Sequence, residues 1–243
     1  MNQSKYYPVI VVGGGHAGTE AALASARMGV DTLLITHNIE TLGQMSCNPA
    51  IGGIGKGQLA REVDALGGVM GRITDAVGIQ FRLLNTSKGR AVQSPRAQCD
   101  RDAYEIEARR ILGSLPNLEI LEGEVIDLLV DGHQVNGVVL NDGLSISARG
   151  VVLTTGTFLS AVMHCGDQQI QGGRVGEASA SRLSDRLKGL GIRLGRLKTR
   201  TTPRLDGRTI DWDRIEAQSQ TDPEGHFSFQ APGERLPQIE CHI

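Results

Sequence analysis

The sequence predicts an α/β fold, a parallel sheet flanked by helices, and three features carry that prediction. Residues 9–12 form an unbroken apolar run, Val-Ile-Val-Val, as a strand buried on both faces requires. Gly13, Gly15 and Gly18 follow at once in G-x-G-x-x-G spacing. An alanine-rich helical pattern then runs from Ala17 to Met28, stopped by Gly29, and Val30 to Ile35 make a second apolar strand. Strand, glycine turn, helix and strand in that order are the βαβ unit of a Rossmann-type fold, the context in which this glycine spacing signals a dinucleotide. Gly13 permits the tight turn, Gly15 lets backbone approach a pyrophosphate, and Gly18 lets the helix pack on the strand. The helix-start amides then face negative charge.

The second strand departs from the usual pattern. It ends Thr36-His37-Asn38, and the first acid is Glu40. A ribose would therefore be held by short polar side chains or by water, which argues against a simple NAD site.

Further along, Gly57 to Gly71 reads as one helix with Leu59, Val63, Leu66 and Met70 on its apolar face. Asp100 caps a helix that runs to about Leu115, with Tyr104, Ile106, Ala108, Ile111 and Leu112 as its buried stripe. Three strands follow, Glu119 to Val130, Gln134 to Leu140 and Ser145 to Ala148, joined by turns at "DGH" and "NDG". Val151 to Leu153 is a buried strand stopping at Thr154-Thr155-Gly156. A three-stranded meander followed by re-entry into the main sheet fits the flavoproteins with two dinucleotide domains. Ser181 to Leu190 is a short helix with Leu183, Leu187 and Leu190 on one face. Beyond Arg196 the periodicity fades. Residues 211–243 read as acidic and irregular, and the terminal "QIECHI" reads as an unfinished strand and hence a fragment.

The bulk numbers narrow the class. At 40% hydrophobic and 21% charged residues the chain is globular and not disordered. Only 3% aromatics argues against a surface built on base stacking. The net charge of -2 hides an uneven distribution. Residues 174–208 carry ten Lys/Arg against three acids, 10 - 3 = +7, and residues 211–243 carry two Arg against seven acids, 2 - 7 = -5. The basic segment is a solvated face or a polyanion surface. No stretch reaches transmembrane length and no signal peptide is legible. Cys47, Cys99, Cys165 and Cys241 match no zinc spacing, and free thiols in a reducing cytoplasm are expected.

The stretch "QMSCNPAIGGIGKGQ" at 44–58 is not a Walker A loop, since Ala50 stands where that motif needs its first glycine and Gly57 follows Lys56 in place of Ser or Thr. It follows the second strand, so it belongs at the rim where ligands bind in a doubly wound sheet. Lys56 and the following helix start could hold an anion or a flavin edge. Cys47 is either a small buried residue or a nucleophile. Asn48 as a hydrogen-bond donor, Pro49 as a stiffener and a nearby helix start favour the second. Cys99 and Cys165 lack that setting and read as structural.

Together "GGGHAGTEAA", "THNIETLGQMSCNPAIGGIGKG", "EVDALGG", "GIQFRLLN", "SKGRAV", "GTFL", "GGRVG" and "GRLKTRTTPR" resemble the MnmG (GidA) family, the FAD subunit of the enzyme that modifies the tRNA wobble uridine to its 5-carboxymethylaminomethyl form. The resemblance covers Val9 to about Asp211, and then weakly to the end. It implies FAD on Gly13, Gly14, Gly15, His16, Ala17 and Gly18, with a backbone contact from Val125 on the adenine side. It also implies NADH as reductant, methylene-tetrahydrofolate as one-carbon donor, glycine or ammonium as the amine, tRNA as substrate, and a homodimer joined to the MnmE GTPase as a heterotetramer. Cys47 matches one of two cysteines proposed to act on the uracil ring. On this resemblance residues 1–205 are the amino-terminal portion of an FAD-binding domain and 206–243 the truncated start of an inserted NADH or substrate domain. The chain departs from the family at Arg200 for glycine, Thr202 for proline, Arg90 for proline, and Ala180 for a serine that contacts FAD, where Ser179 or Ser181 could substitute. Two other readings stand beside it: a catalytically incompetent FAD-binding or interaction module, and a generic FAD/NAD oxidoreductase.

Overall fold

The computed structural model describes residues 5–174, 179–199, 202–218, 220–222, 225–230 and 233–243. Arg200, singled out above, lies outside the described residues. The chain opens with β1 (Tyr6–Val12), α1 (His16–Arg27), β2 (Thr32–Thr36), β3 (Ala50–Gly52), α2 (Lys56–Ala65) and α3 (Met70–Val77). There follow β4 (Gly78–Leu84), β5 (Ser94–Cys99), α4 (Arg101–Leu112), β6 (Leu118–Glu122), β7 (Val125–Asp131), β8 (Gln134–Leu140) and β9 (Ser145–Leu153). The chain continues through β10 (Val162–Cys165), β11 (Gln168–Gln171), α5 (Ser181–Gly189), β12 (Ala217–Gln218) and β13 (Cys241–His242). These elements form two compact units. The first comprises Met1–Gly43 and Arg109–Leu197, the second Gln44–Ala108 and Lys198–Ile243.

The first unit is built on a six-stranded sheet in the order β6-β2-β1-β9-β8-β7. The first four strands run parallel, with Val9 opposite Thr32 and Val12 opposite both Ile35 and Leu153. β7, β8 and β9 form the antiparallel meander. Two strand boundaries differ from the sequence reading. Glu119 to Val130 is two strands, because Gly123 donates its N–H to the Thr36 carbonyl at 2.8 Å and turns the chain from β6, beside β2, into β7. Ser145 to Leu153 is one strand, pairing with β8 through its first residues and with β1 along most of its length.

α1 packs on β1 and β2 with the small face Gly18, Ala22 and Ala26 plus Leu23. It ends as expected at Gly29, in a left-handed conformation with φ 80°. Gly29 N–H bonds Ala26 O and Val30 N–H bonds Ser25 O, the paired closure of a Schellman motif. The core gathers Ile10, Leu33, Ile35, Val125, Leu128, Val138, Leu140 and Ile146 with Leu183 and Leu187 of α5. That helix is fastened to β7 by Arg186, whose Nε lies 2.7 Å from Asp127 Oδ1 and whose Nη2 donates to Leu128 O at 3.3 Å. Arg186 is therefore a packing residue of this unit, although its charge fits the basic run. Arg186→Glu should destabilise the first unit by about 1 kcal/mol, the scale of a half-exposed pair plus repulsion from Asp127. Chemical denaturation followed by far-UV circular dichroism would measure it, and an unchanged midpoint would reduce Arg186 to a solvated position.

The second unit holds the antiparallel sheet β3-β5-β4, helices α2 and α3, and the short pair β12-β13. The single helix expected over Gly57 to Gly71 is two. Gly67, at φ 91°, donates to Asp64 O and Gly68 to Val63 O, closing α2 four residues before α3 begins. The expected apolar face is also inverted. Leu59, Val63 and Leu66 lie outward, and α2 buries Gly57, Ala60 and Asp64. Asp100 caps α4 as predicted, accepting from the N–H groups of Asp102 and Ala103. Tyr104, Ala108, Ile111 and Leu112 are buried, but Ile106 is exposed. Among the described residues no helix is long and apolar enough to cross a membrane, and no His/Cys/Asp/Glu group could hold a metal ion.

Candidate functional site

In the first unit the residues after β1 make a turn whose glycines serve different ends. Gly13, at φ 109°, donates to Ile35 O at 2.8 Å, and a side chain on it would overlap the Thr154 carbonyl. A Cβ on Gly14 would overlap Leu42 and lie 2.8 Å from Thr36 Oγ1, while one on Gly18 would overlap the Gly13 carbonyl and lie 2.8 Å from Thr154 Oγ1. Gly15 is the exception, with nothing within 4 Å of the position a Cβ would take. Three glycines are thus required by the fold, and the fourth faces open space.

Gly15 is also the residue from which α1 starts. No side chain caps that start and no acid lies in the first turn. Helix amides and macrodipole therefore favour an anion here. Burial and the Arg174 charge hold the His16 imidazole below its ordinary value, so it is neutral at neutral pH. Arg174 in turn lies over the Phe158 ring at 5.1 Å, and that ring meets His37 edge-on at 5.7 Å. An open backbone cradle, an uncapped helix and a nearby guanidinium fit the diphosphate of a dinucleotide.

Neighbouring strands brace the turn. Thr154, just past β9, donates from Oγ1 to Val12 O at 2.9 Å and Gly13 O at 3.0 Å, and from its N–H to Val12 O at 2.8 Å. The strand-end Thr-Gly noted in the sequence thus holds the glycine turn itself. After β2, Asn38 Oδ1 accepts from Glu40 N–H, and the Glu40 carboxylate and carbonyl both take the Arg109 guanidinium. Glu40 is committed to that contact. Val125 begins β7 two residues beyond the Gly123 turn, with its side chain buried among the core residues. At Ala180, the residue before α5, Ser179 occupies its hydroxyl locally, accepting from Ala161 N–H at 2.8 Å and donating to Phe158 O at 3.1 Å, while Ser181 is exposed.

Cys47 belongs to the second unit, whereas the glycine turn and Val125 belong to the first. The Cys47 side chain is half-buried and its carbonyl accepts from Arg204 Nη2 at 2.5 Å. The loop then enters β3 under close backbone control. Ala50 N–H bonds Asn48 O, Cys99 N–H bonds Pro49 O, both at 2.7 Å, and Gln98 Nε2 reaches Asn48 Oδ1 at 3.4 Å. Past β3, Gly53 O accepts from Lys56 N–H, Gly57 N–H and Ser94 Oγ, which shapes the start of α2. That start also lacks a side-chain cap, with Lys56 exposed beside it.

None of the four cysteines is in a disulfide. Burial pushes the Cys99 thiol up to about 12, so it stays protonated and inert, as its structural reading requires. Cys165, expected to be structural, is exposed on the β10-β11 hairpin.

Parallel order β6-β2-β1-β9, a glycine turn after β1 and an antiparallel meander returning as β9 place the first unit among Rossmann-type dinucleotide-binding folds of the flavoprotein kind. A family model described as Glucose inhibited division protein A matches residues 8–243, and the chain belongs to this GidA family. Aquifex aeolicus GidA, solved in two crystal forms, is 48% identical with a TM-score of 0.92, over 98% of this chain and 41% of that one. The chain thus spans about two-fifths of the length of that relative. The GidA-related protein from Thermus thermophilus is 24% identical with a TM-score of 0.54, over 76% of this chain and 68% of that one, and shares the fold.

Proposed function

We propose that this chain supplies the FAD-binding part of a tRNA-modifying enzyme, one that adds a carboxymethylaminomethyl group to carbon 5 of the wobble uridine. The observation that carries this reading is the 48% identity to a GidA protein over 98% of the chain. The open cradle at Gly15, on an uncapped helix, supports it independently. The backbone from Gly13 to Gly18 would hold the FAD diphosphate, with Val125 on the adenine side. When bound, FAD would supply hydride chemistry or carry the one-carbon unit.

In this reading Cys47 is the nucleophile. Its thiolate sulfur bonds to carbon 6 of the uracil ring, and the C5–C6 π pair moves toward carbon 5 and the O4 carbonyl. Carbon 5 then bonds to the one-carbon electrophile. Loss of the carbon 5 proton and expulsion of the thiolate restore the double bond. NADH as reductant, methylene-tetrahydrofolate as one-carbon donor, glycine or ammonium as amine, and a cytoplasmic homodimer working with the MnmE GTPase complete the proposal. Residues 206–243 would open the inserted NADH or substrate domain.

In a deletion strain complemented with the gene, Cys47→Ser should reduce the modified nucleoside in tRNA hydrolysates to the level of the empty vector. It should leave flavin content unchanged. Normal modification would remove Cys47 from the chemistry.

A further inference from the structure

We propose that residues 225–230 form a strap that positions the Cys47 loop by seating Phe227 against Gly52; the functional part rests on Cys47 being the nucleophile. Three successive strap N–H groups point at two buried carboxylates from far back in the chain. Phe227 N–H bonds Asp75 Oδ1 at 2.8 Å, Ser228 N–H bonds Asp75 Oδ2 at 2.9 Å, and Phe229 N–H bonds Asp64 Oδ2 at 2.8 Å. Asp64, Asp75, Phe227 and Ser228 are all buried. The ends are tied as well. Arg235 donates to Gly225 O at 2.9 Å and lies over the Phe81 ring of β4, and Arg61 of α2 lies over Phe229 at 4.7 Å.

What the strap presents to the rest of the unit is the Phe227 ring. It occupies the space beside Gly52, where a Cβ would lie 2.7 Å from the ring Cζ and overlap the Pro95 carbonyl. Gly52 ends β3, and β3 continues back through Pro49 and Asn48 to Cys47 in five residues. Arg204 constrains Cys47 as well, gripping its carbonyl. A segment that only covered β3 could do so with apolar contacts. Burying two carboxylates is costly unless each is fully hydrogen-bonded, and in return it admits one register of the strap. Phe227 and Asp75 are positioning residues that act on Cys47 through β3.

The test uses the purified chain treated with iodoacetamide, with each cysteine followed by peptide mass spectrometry. Cys165, exposed in the first unit, is the reference for reagent, and buried Cys99 reports opening of the second unit. Phe227→Leu keeps the strap hydrogen bonds and removes the ring, whereas Asp75→Asn keeps the ring and replaces one acceptor by a donor. Both should raise the Cys47 to Cys165 rate ratio by about fivefold, as freeing one local contact would, with Cys99 still protected. An unchanged or lower ratio would overturn the strap's role. If Asp75→Asn also exposes Cys99, the Phe227→Leu ratio decides alone. The Cys47→Ser tRNA result is separate: full modification there ends the nucleophile reading, and the alkylation ratio still tests the strap.

Discussion

Gly18→Ala should destabilise the first unit by about 3 kcal/mol, near the upper end for overpacking, whereas Gly15→Ala should leave it folded and empty of flavin. The two substitutions add the same methyl group three residues apart in one turn. At Gly18 the Cβ overlaps a backbone atom, the Gly13 carbonyl, and lies 2.8 Å from Thr154 Oγ1. No rotamer relieves a backbone clash, so α1 must move off β1. That loosens Ala22, Leu23 and Ala26, all buried against the sheet, and disturbs the Thr154 bonds that brace the turn. For a unit of this size the melting temperature should fall on the order of 10 °C. At Gly15 the backbone has φ −74°, open to any residue, and nothing lies within 4 Å. The cost there is that of alanine replacing glycine at an N-cap, roughly 0.5 kcal/mol. The methyl group would instead fill the space through which a diphosphate reaches the helix amides. Thermal unfolding and the flavin absorbance per protein separate the two effects. A wild-type melting temperature for Gly18→Ala, or full flavin in Gly15→Ala, would break the division between structural and ligand-facing glycines.

That division shows what the sequence could and could not reveal. The strand, turn, helix and stop of residues 9–29 follow from local rules, and the structure has them nearly where the pattern puts them. The Asp100 cap and the Leu183, Leu187 face of α5 were legible for the same reason. The α2 region misled because apolar periodicity marks burial only when the large residues face inward. Here the helix approaches its neighbours on Gly57 and Ala60, so closeness excludes bulk and Leu59 and Leu66 are left outside. Gly57 packs against Ser94 and Pro95, residues nearly forty positions away that no local window contains. The acidic tail read as irregular because its order is not its own. Phe227 and Ser228 are fixed by Asp75, 152 and 153 positions earlier, through backbone groups that leave no mark on side-chain pattern. The motif "EVDALGG" was visible, but the meeting of its Asp64 with Phe229 was not. Cys47 stood out by its neighbours, whereas the Arg204 hold on its carbonyl is a non-local contact that spacing could not predict.

The tail's dependence on one carboxylate gives the second large effect: Asp75→Ala should cost the second unit about 2–6 kcal/mol, the sum for two buried N–H groups left unpaired. Trp212, the chain's only tryptophan, lies in that unit and packs edge-on against His242, so its fluorescence reports the loss during urea unfolding. The pH dependence separates the charge from the hydrogen bonds. Burial pushes the Asp75 carboxyl above its ordinary value, and this outweighs the opposing pull of the Phe227 and Ser228 N–H groups, His226 and Arg235. The neighbouring Cys99 thiol is neutral across this range. A raised acid binds more protons folded than unfolded between its two values, so its contribution to stability is greatest in acid. That contribution falls as pH rises from the unfolded value to the folded one, and is level above it. Asp75→Asn cannot titrate. The stability of wild type minus that of Asp75→Asn should therefore be largest below the ordinary carboxylate value and shrink as pH rises through it, before reaching a plateau. Other carboxylates cancel in that difference, including Glu119 and Asp206, whose lowered values give the opposite slope. A difference that instead grows with pH would mean the hydrogen bonds outweigh burial at Asp75. The strap would then be held by an ion made comfortable by its partners, and not by one kept at a cost for the single position it enforces.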